Sequence, residues 1–242
     1  MPDVRRVALV TGAAGGIGRA TVAALLRDGF AVAAVDLALA DLPCAFDAPL
    51  ESLSADVTDE AALAGAVARC VERFGGIDCV VHLAGAVGRG PLVDVSAGEW
   101  RRLLEVNLTS AFLLARAAHA HLRERRGALV LTSSTNARNG GSALSGPAYA
   151  VAKAGILNLA RYLAKEWGGV GIRVNCVAPG PVDTPMLSRL PAATREALRE
   201  AIPLGRVASA DDVASSIAFL CSPQAAYLTG AVLNVSGGLV LD

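Results

Sequence analysis

The chain has 242 residues, of which 53% are hydrophobic and 18% charged, and its 22 basic residues balance 22 acidic ones. This length suits a single α/β domain, and so apolar a composition excludes a disordered chain. The balanced charge argues against an electrostatic nucleic-acid binder or a membrane-surface protein, because both carry an excess of Lys and Arg.

Short apolar runs alternate along the chain with longer stretches of helical spacing. The predicted strands are 7–11, 31–35, a third that ends near Asp56, 78–83, 128–132, 173–177 and 231–235. The predicted helices are 18–28, 59–74, 100–122, 149–167 and 211–221. Uninterrupted apolar strands between helices are typical of a parallel sheet covered on both faces. The pattern predicts a doubly wound α/β sheet of about seven strands in one domain, 1–242.

Three segments rich in Gly, Pro, Ser and Asn do not fit a regular element: 86–95, 135–148 and 179–204. Such composition predicts loops or broken helices. Each of them follows a predicted strand or begins where one ends. In open α/β sheets ligands bind outside the carboxyl ends of the strands, so these loops are expected to surround the site.

The cysteines and the N-terminal segment indicate a cytoplasmic protein. The five cysteines have no zinc-site spacing and are predicted to be buried free thiols in a reducing compartment. They are Cys44, Cys70, Cys79, Cys176 and Cys221. Residues 1–6 lead straight into an apolar strand, so no signal peptide is predicted, and no stretch of about 18 apolar residues predicts a membrane span.

Residues 11–18 read Thr-Gly-Ala-Ala-Gly-Gly-Ile-Gly and join the first strand directly to a helix. Glycines at 12, 16 and 18 permit a tight turn and a close approach of the backbone to a pyrophosphate. The pyrophosphate would bind the N–H groups at the helix N-terminus. A strand-to-helix turn also needs glycine for backbone reasons, so the turn alone leaves both interpretations open.

Asp36 closes the second strand, 18 residues after Gly18. A carboxylate there can accept hydrogen bonds from ribose hydroxyls and repels a 2′-phosphate. Residues 37–39 are Leu, Ala and Leu, and residue 15 is Gly, so none of these positions offers a basic side chain to that phosphate. These features favour NAD over NADP. A cap at the strand end is the alternative role for the carboxylate.

Tyr149 and Lys153 stand four residues apart on a predicted helix, which places them on one face about 6 Å apart at Cβ. An ammonium lowers the pKa of a neighbouring tyrosine from about 10, giving a phenol that exchanges protons near neutral pH. The spacing often arises by chance. However, one of only two lysines in this arginine-rich chain stands here, and arginine cannot supply so compact a charge.

Ser134 lies at the carboxyl end of the fifth predicted strand, where its hydroxyl could hold a substrate oxygen beside the Tyr149 phenol. A turn serine that satisfies local backbone is the alternative interpretation of Ser134. Ser133 is its rival for the same role.

Together these motifs resemble the short-chain dehydrogenase/reductase family, and the resemblance covers nearly the whole chain. The matching segments are TGAAGGIG at 11–18, Asp56-Val57, Asn107 within VNL at 106–108, Ser134, YAVAK at 149–153, PGPVDT at 179–184 and Thr229-Gly230. Their joint occurrence in this order is far more specific than any single one. The resemblance implies a Rossmann-type fold, NAD as cofactor, no metal, and commonly a homotetramer built on the helices at 100–122 and 149–167.

The resemblance also implies a role for each matching residue. Tyr149 is expected to be the general acid/base, and Ser134 to orient and polarise the substrate oxygen. Lys153 is expected to bind the nicotinamide ribose and lower the Tyr149 pKa, with Asn107 sustaining a water-linked proton relay behind it. Further NAD contacts are expected at the pyrophosphate (Gly12, Gly16, Ile17, Gly18), the adenosine ribose (Asp36), the adenine (Asp56, Val57), the other ribose (Ala84, Gly85) and the nicotinamide amide (Pro179, Gly180, Val182, Thr184).

The chain departs from the family pattern in two places. The family usually has Asn-Asn-Ala-Gly after the fourth strand, whereas this chain has His82-Leu83, which removes an amide that braces the central strands. We interpret His82 as a structural histidine. Ser134 and Tyr149 are 15 residues apart, about two more than usual, which indicates an insertion in 135–148. Asn136 has the usual separation from Tyr149, but it is not a serine.

The leading hypothesis is an NAD-dependent oxidoreductase that interconverts a secondary alcohol and its ketone. The alternatives are a 3-oxoacyl reductase, which would normally prefer NADPH, and a catalytically silent dinucleotide-binding regulator. The loops 86–95, 135–148 and 184–205 hold few charges, which favours an uncharged or aromatic substrate. Their apolar residues are Val87, Leu144, Met186, Leu187 and Leu190.

Overall fold

The computed structural model describes residues 5–39, 49–184, 187 and 191–241. Within these residues, seven strands form one sheet: β1 Val7–Thr11, β2 Ala31–Asp36, β3 Leu50–Ser54, β4 Cys79–His82, β5 Ala128–Thr132, β6 Arg173–Pro179 and β7 Val232–Val235. The strand order is β3-β2-β1-β4-β5-β6-β7, and every neighbouring pair is parallel. The predicted doubly wound parallel sheet is therefore confirmed.

The helices in the described residues are α1 Gly16–Arg27, α2 Glu60–Phe74, α3 Ala97–Leu104, α4 Ser110–Arg125, α5 Asn136–Asn139, α6 Pro147–Trp167, α7 Ala192–Ala201 and α8 Ala210–Cys221. Short 3-10 turns lie at Leu92–Asp94, Gly168–Val170 and Pro223–Ala225. None of these helices is long and apolar enough to cross a membrane.

Two hydrophobic cores cover the two faces of the sheet. On one face, α2, α4 and α6 bury residues such as Leu63, Leu114 and Ile156. On the other face, α1 and α8 bury residues such as Leu25 and Ile217. Because β1 to β6 are buried from both sides, apart from β3 at the edge, their sequences are almost continuously apolar.

Capping residues mark where α2 and α8 begin and where α2 ends. The Asp59 side chain accepts hydrogen bonds from the Ala61 and Ala62 N–H groups at the start of α2, and Gly75, with φ 81°, ends that helix in the left-handed region. Ser209 and Asp212 form a reciprocal capping box at the start of α8.

The structure corrects the sequence-based boundaries at three places. The helix predicted at 100–122 is two helices, α3 and α4, joined by a π-helical turn at Glu105–Thr109. The third strand ends at Ser54 instead of near Asp56. The segments predicted as loops or broken helices at 135–148 and 179–204 contain the short helices α5 and α7, which agrees with the broken-helix form of the prediction but gives their bounds for the first time.

The described cysteines, Cys70, Cys79, Cys176 and Cys221, are buried free thiols, as predicted. Burial raises the pKa of the Cys70 and Cys176 thiols to about 12, which keeps both protonated. Cys44 lies outside the described residues. The cytoplasmic location stays a prediction.

Candidate active site

The turn after β1 leaves room only for glycine at two positions. Gly12 has φ +68°, and a Cβ there would lie 2.5 Å from the Ala84 nitrogen. A Cβ on Gly18 would lie 2.8 Å from the Ala13 Cα and would overlap the Gly12 carbonyl. The turn is therefore packed tightly between the end of β4 and the first turn of α1.

Helix α1 begins at Gly16, and no side chain caps its first N–H groups, because its N-cap residue is Gly15. Ile17 belongs to the same first turn. Exposed N–H groups at a helix start carry partial positive charge and bind anions. The glycine turn and the uncapped helix together fit the pyrophosphate of a dinucleotide, with the charge met by backbone donors.

Asp36 lies at the carboxyl end of β2 and reaches back to the glycine turn. Its Oδ2 accepts a hydrogen bond from the Ala14 N–H at 2.9 Å, and its Oδ1 accepts one from the Leu37 N–H at 2.8 Å. The carboxylate thus stays half-buried beside the turn. A negative charge here is compatible with ribose hydroxyls and opposes a phosphate.

Asp56 and Val57 follow β3 at the same edge of the sheet. The Asp56 Oδ1 accepts hydrogen bonds from the Thr58 N–H and hydroxyl, at 2.8 and 2.7 Å, and these bonds lower the Asp56 pKa. Val57 is buried. Asp56 therefore shapes its own turn, and it is exposed to solvent.

Asn107 is fully buried in the π turn between α3 and α4. Its Nδ2 donates to the Ala86 carbonyl at 2.7 Å and to the Leu103 carbonyl at 2.9 Å, and its Oδ1 accepts from the Ala86 N–H at 3.2 Å. A Cβ on Gly85 would lie 2.6 Å from this Oδ1 and 3.4 Å from the Lys153 Nζ. Asn107 and Lys153 thus both pack against Gly85.

Ser134 follows β5 and Tyr149 lies in the first turn of α6, where the two side chains interact. Ser134 is buried and Tyr149 is half-buried. Burial raises the Tyr149 pKa, and the hydrogen bond from Ser134 lowers it by less. The expected net lowering of the Tyr149 pKa is therefore wrong for this structure, because desolvation of the phenolate outweighs the other effects.

Lys153 is buried one turn further along α6. Its Nζ donates to the Thr132 carbonyl at 2.9 Å and lies 5.6 Å from the centre of the Tyr149 ring. Burial lowers its pKa to about 8. The Ser133 hydroxyl donates to the Lys153 backbone carbonyl at 2.7 Å, so Ser133 has a structural bond and Ser134 is the serine beside the phenol.

The segment after β6 completes the edge of the sheet. Pro179 is the last residue of β6, and the Gly180 N–H donates to the Val235 carbonyl at 3.0 Å. Val182 is buried and forms a bridge with Ala208. The Thr184 hydroxyl donates to the Val182 carbonyl at 3.3 Å. Backbone bonds to β7 and to Ala208 therefore fix the path of this segment as it leaves the sheet.

Comparison with known proteins agrees with this geometry. A family model described as enoyl-(acyl carrier protein) reductase matches residues 12–240. A cis-4-hydroxycyclohexanecarboxylate dehydrogenase from Sinomonas cyclohexanicum is 41% identical over 240 residues, which cover 96% of each chain. The chain belongs to the short-chain dehydrogenase/reductase family.

Other members of this family span the chain equally well. A 3-oxoacyl-acyl-carrier-protein reductase from Thermotoga maritima is 34% identical over 243 residues, covering 98% of both chains. The crystal structure of levodione reductase superposes with a TM-score of 0.90 at 33% identity, covering 96% of both chains. The family assignment and the Rossmann-type fold therefore rest on relatives that match from end to end.

In this family member, His82 has a fully hydrogen-bonded position in the core. Its Nδ1 lies 2.7 Å from the Thr11 hydroxyl, and its Nε2 lies 3.0 Å from the Ser110 hydroxyl. The interpretation of His82 as structural agrees with these contacts. Leu83 packs against the core beneath α1 and α8, and its N–H donates to the Thr11 carbonyl at 3.1 Å. Backbone bonding and apolar packing thus hold β4 to β1 where the family usually uses an amide.

The segment 135–148 forms a wall cross-linked to the loop after β4. The Gly88 N–H donates to the Ser145 carbonyl, and the Gly90 N–H to the Ala143 carbonyl, both at 2.9 Å. The Asn136 Nδ2 donates to the Ser145 hydroxyl at 2.8 Å, while its N–H donates to the Ser134 hydroxyl at 3.2 Å. A cavity of about 160 Å³ lies in the wall, lined by Gly90, Pro91, Leu92, Gly140, Ser142, Ala143, Gly146 and Pro147.

Sequence reasoning missed the residues that hold this wall. Ser145 is buried and has no motif around it, and the role of Asn136 depends on where the chain returns after α5. Among the apolar residues expected around the substrate, Val87 and Leu187 are half-buried and Leu144 is exposed. Met186 and Leu190 lie outside the described residues.

Proposed function

We propose that this chain is an NAD-dependent oxidoreductase that interconverts a secondary alcohol and its ketone, with Tyr149 as the general acid/base. The observation that carries the proposal is the grouping of a phenol, a hydroxyl and a buried ammonium on adjoining elements. The Ser134 side chain is close enough to Tyr149 to lower the pKa of its phenol, and the Lys153 Nζ lies 5.6 Å from the Tyr149 ring centre. A secondary alcohol needs one group to take its proton and one to hold its oxygen, and this group supplies both.

Proton transfer in the proposed reaction is the task of this chain's own residues. In the oxidative direction the Tyr149 phenolate accepts the hydroxyl proton, while the Ser134 hydroxyl donates to the substrate oxygen. The Lys153 ammonium stabilises the phenolate through its positive charge. In the reductive direction the Tyr149 phenol returns the proton to the ketone oxygen. Bound cofactor would supply the hydride chemistry, as an acceptor (NAD) for alcohol oxidation and as a donor (NADH) for ketone reduction.

The proposed cofactor fits the residues at the other end of the site. Gly12, Gly16 and Gly18 would hold the pyrophosphate. Gly12 and Gly18 stand in a turn too tight for a Cβ, and Gly16 begins α1, whose first N–H groups have no side-chain cap. Asp36 would accept hydrogen bonds from the adenosine ribose, and this carboxylate is the basis for proposing NAD in preference to NADP. Asp56 and Val57 would contact the adenine, as the family resemblance implies.

The deciding experiment replaces Tyr149 by Phe. We expect Tyr149→Phe to reduce kcat by at least about 100-fold, the range of general acid/base catalysis, while NAD binding by fluorescence titration changes less than about twofold. Tyr227→Phe is the matched control, because Tyr227 is fully exposed and lies outside α4 and α6. Full activity of Tyr149→Phe on the alcohol that wild type oxidises would overturn the mechanism.

The choice of substrate begins with the relatives. The Sinomonas relative is named for a hydroxycyclohexane compound, so alicyclic secondary alcohols are the first compounds to assay for NAD reduction. The 3-oxoacyl reductase alternative is supported by the Thermotoga relative. It predicts faster turnover of a 3-oxoacyl thioester with NADPH. A silent regulator would bind NAD and turn over none of these compounds.

We also propose that the chain assembles as a homotetramer. Apolar side chains that a lone chain exposes to solvent on α4 and α6 support this proposal. They include Phe112 at 46%, Val151 at 50% and Tyr162 at 63% exposed. Light scattering that gives the mass of one chain would contradict it.

A further inference from the structure

The π turn between α3 and α4 changes which groups its carbonyls can bind. The Ser110 N–H donates to the Glu105 carbonyl, five residues back, instead of to the Val106 carbonyl four residues back. The Val106 carbonyl accepts a hydrogen bond from the Ser110 hydroxyl at 2.8 Å. A carbonyl that is shielded from water and has no donor destabilises the fold, so the Ser110 hydroxyl stabilises the turn.

His82 holds the Ser110 hydroxyl from the neighbouring strand β4. Because the Ser110 hydrogen points to the Val106 carbonyl, the His82 Nε2 must donate to the Ser110 oxygen at 3.0 Å. The His82 Nδ1 then accepts from the Thr11 hydroxyl at 2.7 Å. All of these side chains are buried, and burial lowers the His82 pKa to about 3, so the ring stays neutral.

The turn that this chain of bonds holds also carries Asn107. The Asn107 amide binds the Ala86 peptide through both its Nδ2 and its Oδ1, and Gly85 packs between Asn107 and the Lys153 Nζ. A shift of the turn would therefore move Asn107, the Ala86 peptide and Gly85, which lies beside the Lys153 ammonium, together.

We propose that His82 is a positioning residue for the reaction, acting through its Nε2–H bond to Ser110 to hold the π turn that presents Asn107. This inference rests on the proposed function of the site. An imidazole has a donor and an acceptor on opposite sides of the ring, so it spans from β1 to α4. A shorter amide at position 82 could reach only one of the two partners.

The test uses two amides that each replace one ring nitrogen. The amide of His82→Gln extends to the position of Nε2 and retains the donor to Ser110, whereas that of His82→Asn extends to Nδ1 and retains only the Thr11 contact. We expect His82→Asn and Ser110→Ala to lower kcat about 10-fold, with KM and NAD affinity within twofold of wild type. We expect His82→Gln to keep kcat within twofold, although both amide variants lose one buried hydrogen bond.

Hydrogen–deuterium exchange gives a second readout that does not depend on turnover. The Ala86 N–H donates to Asn107, so peptides spanning 84–88 and 103–111 should exchange at least about 10-fold faster in His82→Asn and Ser110→Ala but not in His82→Gln. Equal exchange and equal kcat loss in both amide variants would overturn the positioning role. An inactive wild type, or an active Tyr149→Phe, would instead overturn the proposed function, and the exchange experiment would still decide the role of His82.

Discussion

Lys153→Met should make the protein more stable while abolishing its activity. Burial lowers the Lys153 pKa from 10.5 to about 8, which corresponds to a cost of about 3 kcal/mol for the folded protein at neutral pH. Methionine has a similar length and no charge to desolvate. The variant loses the hydrogen bond from Nζ to the Thr132 carbonyl, which contributes about 1 kcal/mol. We therefore expect the free energy of unfolding to rise by roughly 1–2 kcal/mol at pH 7.

The predicted rise in the free energy of unfolding of Lys153→Met can be checked by its pH dependence. Below pH 8 both the folded and the unfolded protein hold the Lys153 proton, so the folded protein bears the full free-energy cost of burying this charge. Between pH 8 and 10.5 the folded protein has released the proton while the unfolded chain still binds it, so wild-type stability rises relative to the variant. The advantage of Lys153→Met should therefore shrink by about 2 kcal/mol between pH 7 and pH 9.5.

Urea unfolding followed by circular dichroism, at pH 7 and pH 9.5 and without cofactor, measures both quantities. Lys165→Met is the matched control, because Lys165 is the chain's other lysine, lies on the same helix and is exposed. It should change the free energy of unfolding by less than about 0.5 kcal/mol at either pH. A Lys153→Met variant that is less stable than wild type by the same amount at both pH values would refute the reasoning.

Two further predictions concern the proposed reaction. Because burial raises the Tyr149 pKa, kcat/KM for alcohol oxidation should rise with pH until the phenol ionises, and kcat/KM for ketone reduction should fall over the same range. The pH profiles of kcat/KM in both directions measure these changes. A flat profile for alcohol oxidation would contradict the prediction. Asp36→Ala should improve the ratio of kcat/KM for NADP over NAD by at least about 10-fold, measured with one alcohol; an unchanged ratio would show that the carboxylate does not select the cofactor.

The sequence was sufficient to predict the parallel sheet and the positions of Tyr149, Lys153 and Ser134. Each of these depends on local information: apolar runs for strands, a spacing of four on a helix, and a hydroxyl at a strand end. The Ser133 alternative could not be decided in this way. The structure decides between the two serines, because the Ser133 hydroxyl donates to the Lys153 carbonyl, 20 residues along the chain.

The π turn and the wall at 135–148 could not be predicted because their causes are contacts between distant segments. Residues 100–122 have helical spacing throughout, and the break at Glu105–Thr109 depends on side chains that bind freed carbonyls inside the core. Likewise, Ser145 fixes its loop through the Gly88 peptide and the Asn136 amide, neither of which is marked by a motif.

The raised pKa of Tyr149 also changes how the Tyr-x-x-x-Lys motif should be understood in this chain. Proximity of an ammonium on one helix face suggests a phenol that ionises easily, yet burial desolvates both groups, raising the Tyr149 pKa and lowering that of Lys153. Both shifts favour the uncharged phenol of Tyr149 and the uncharged amine of Lys153 over the phenolate and the ammonium. In the proposed reaction the phenol is thus held as a proton donor, ready for ketone reduction. Alcohol oxidation needs the phenolate, and its stabilisation depends on the Ser134 hydrogen bond and on Lys153 retaining its proton below about pH 8.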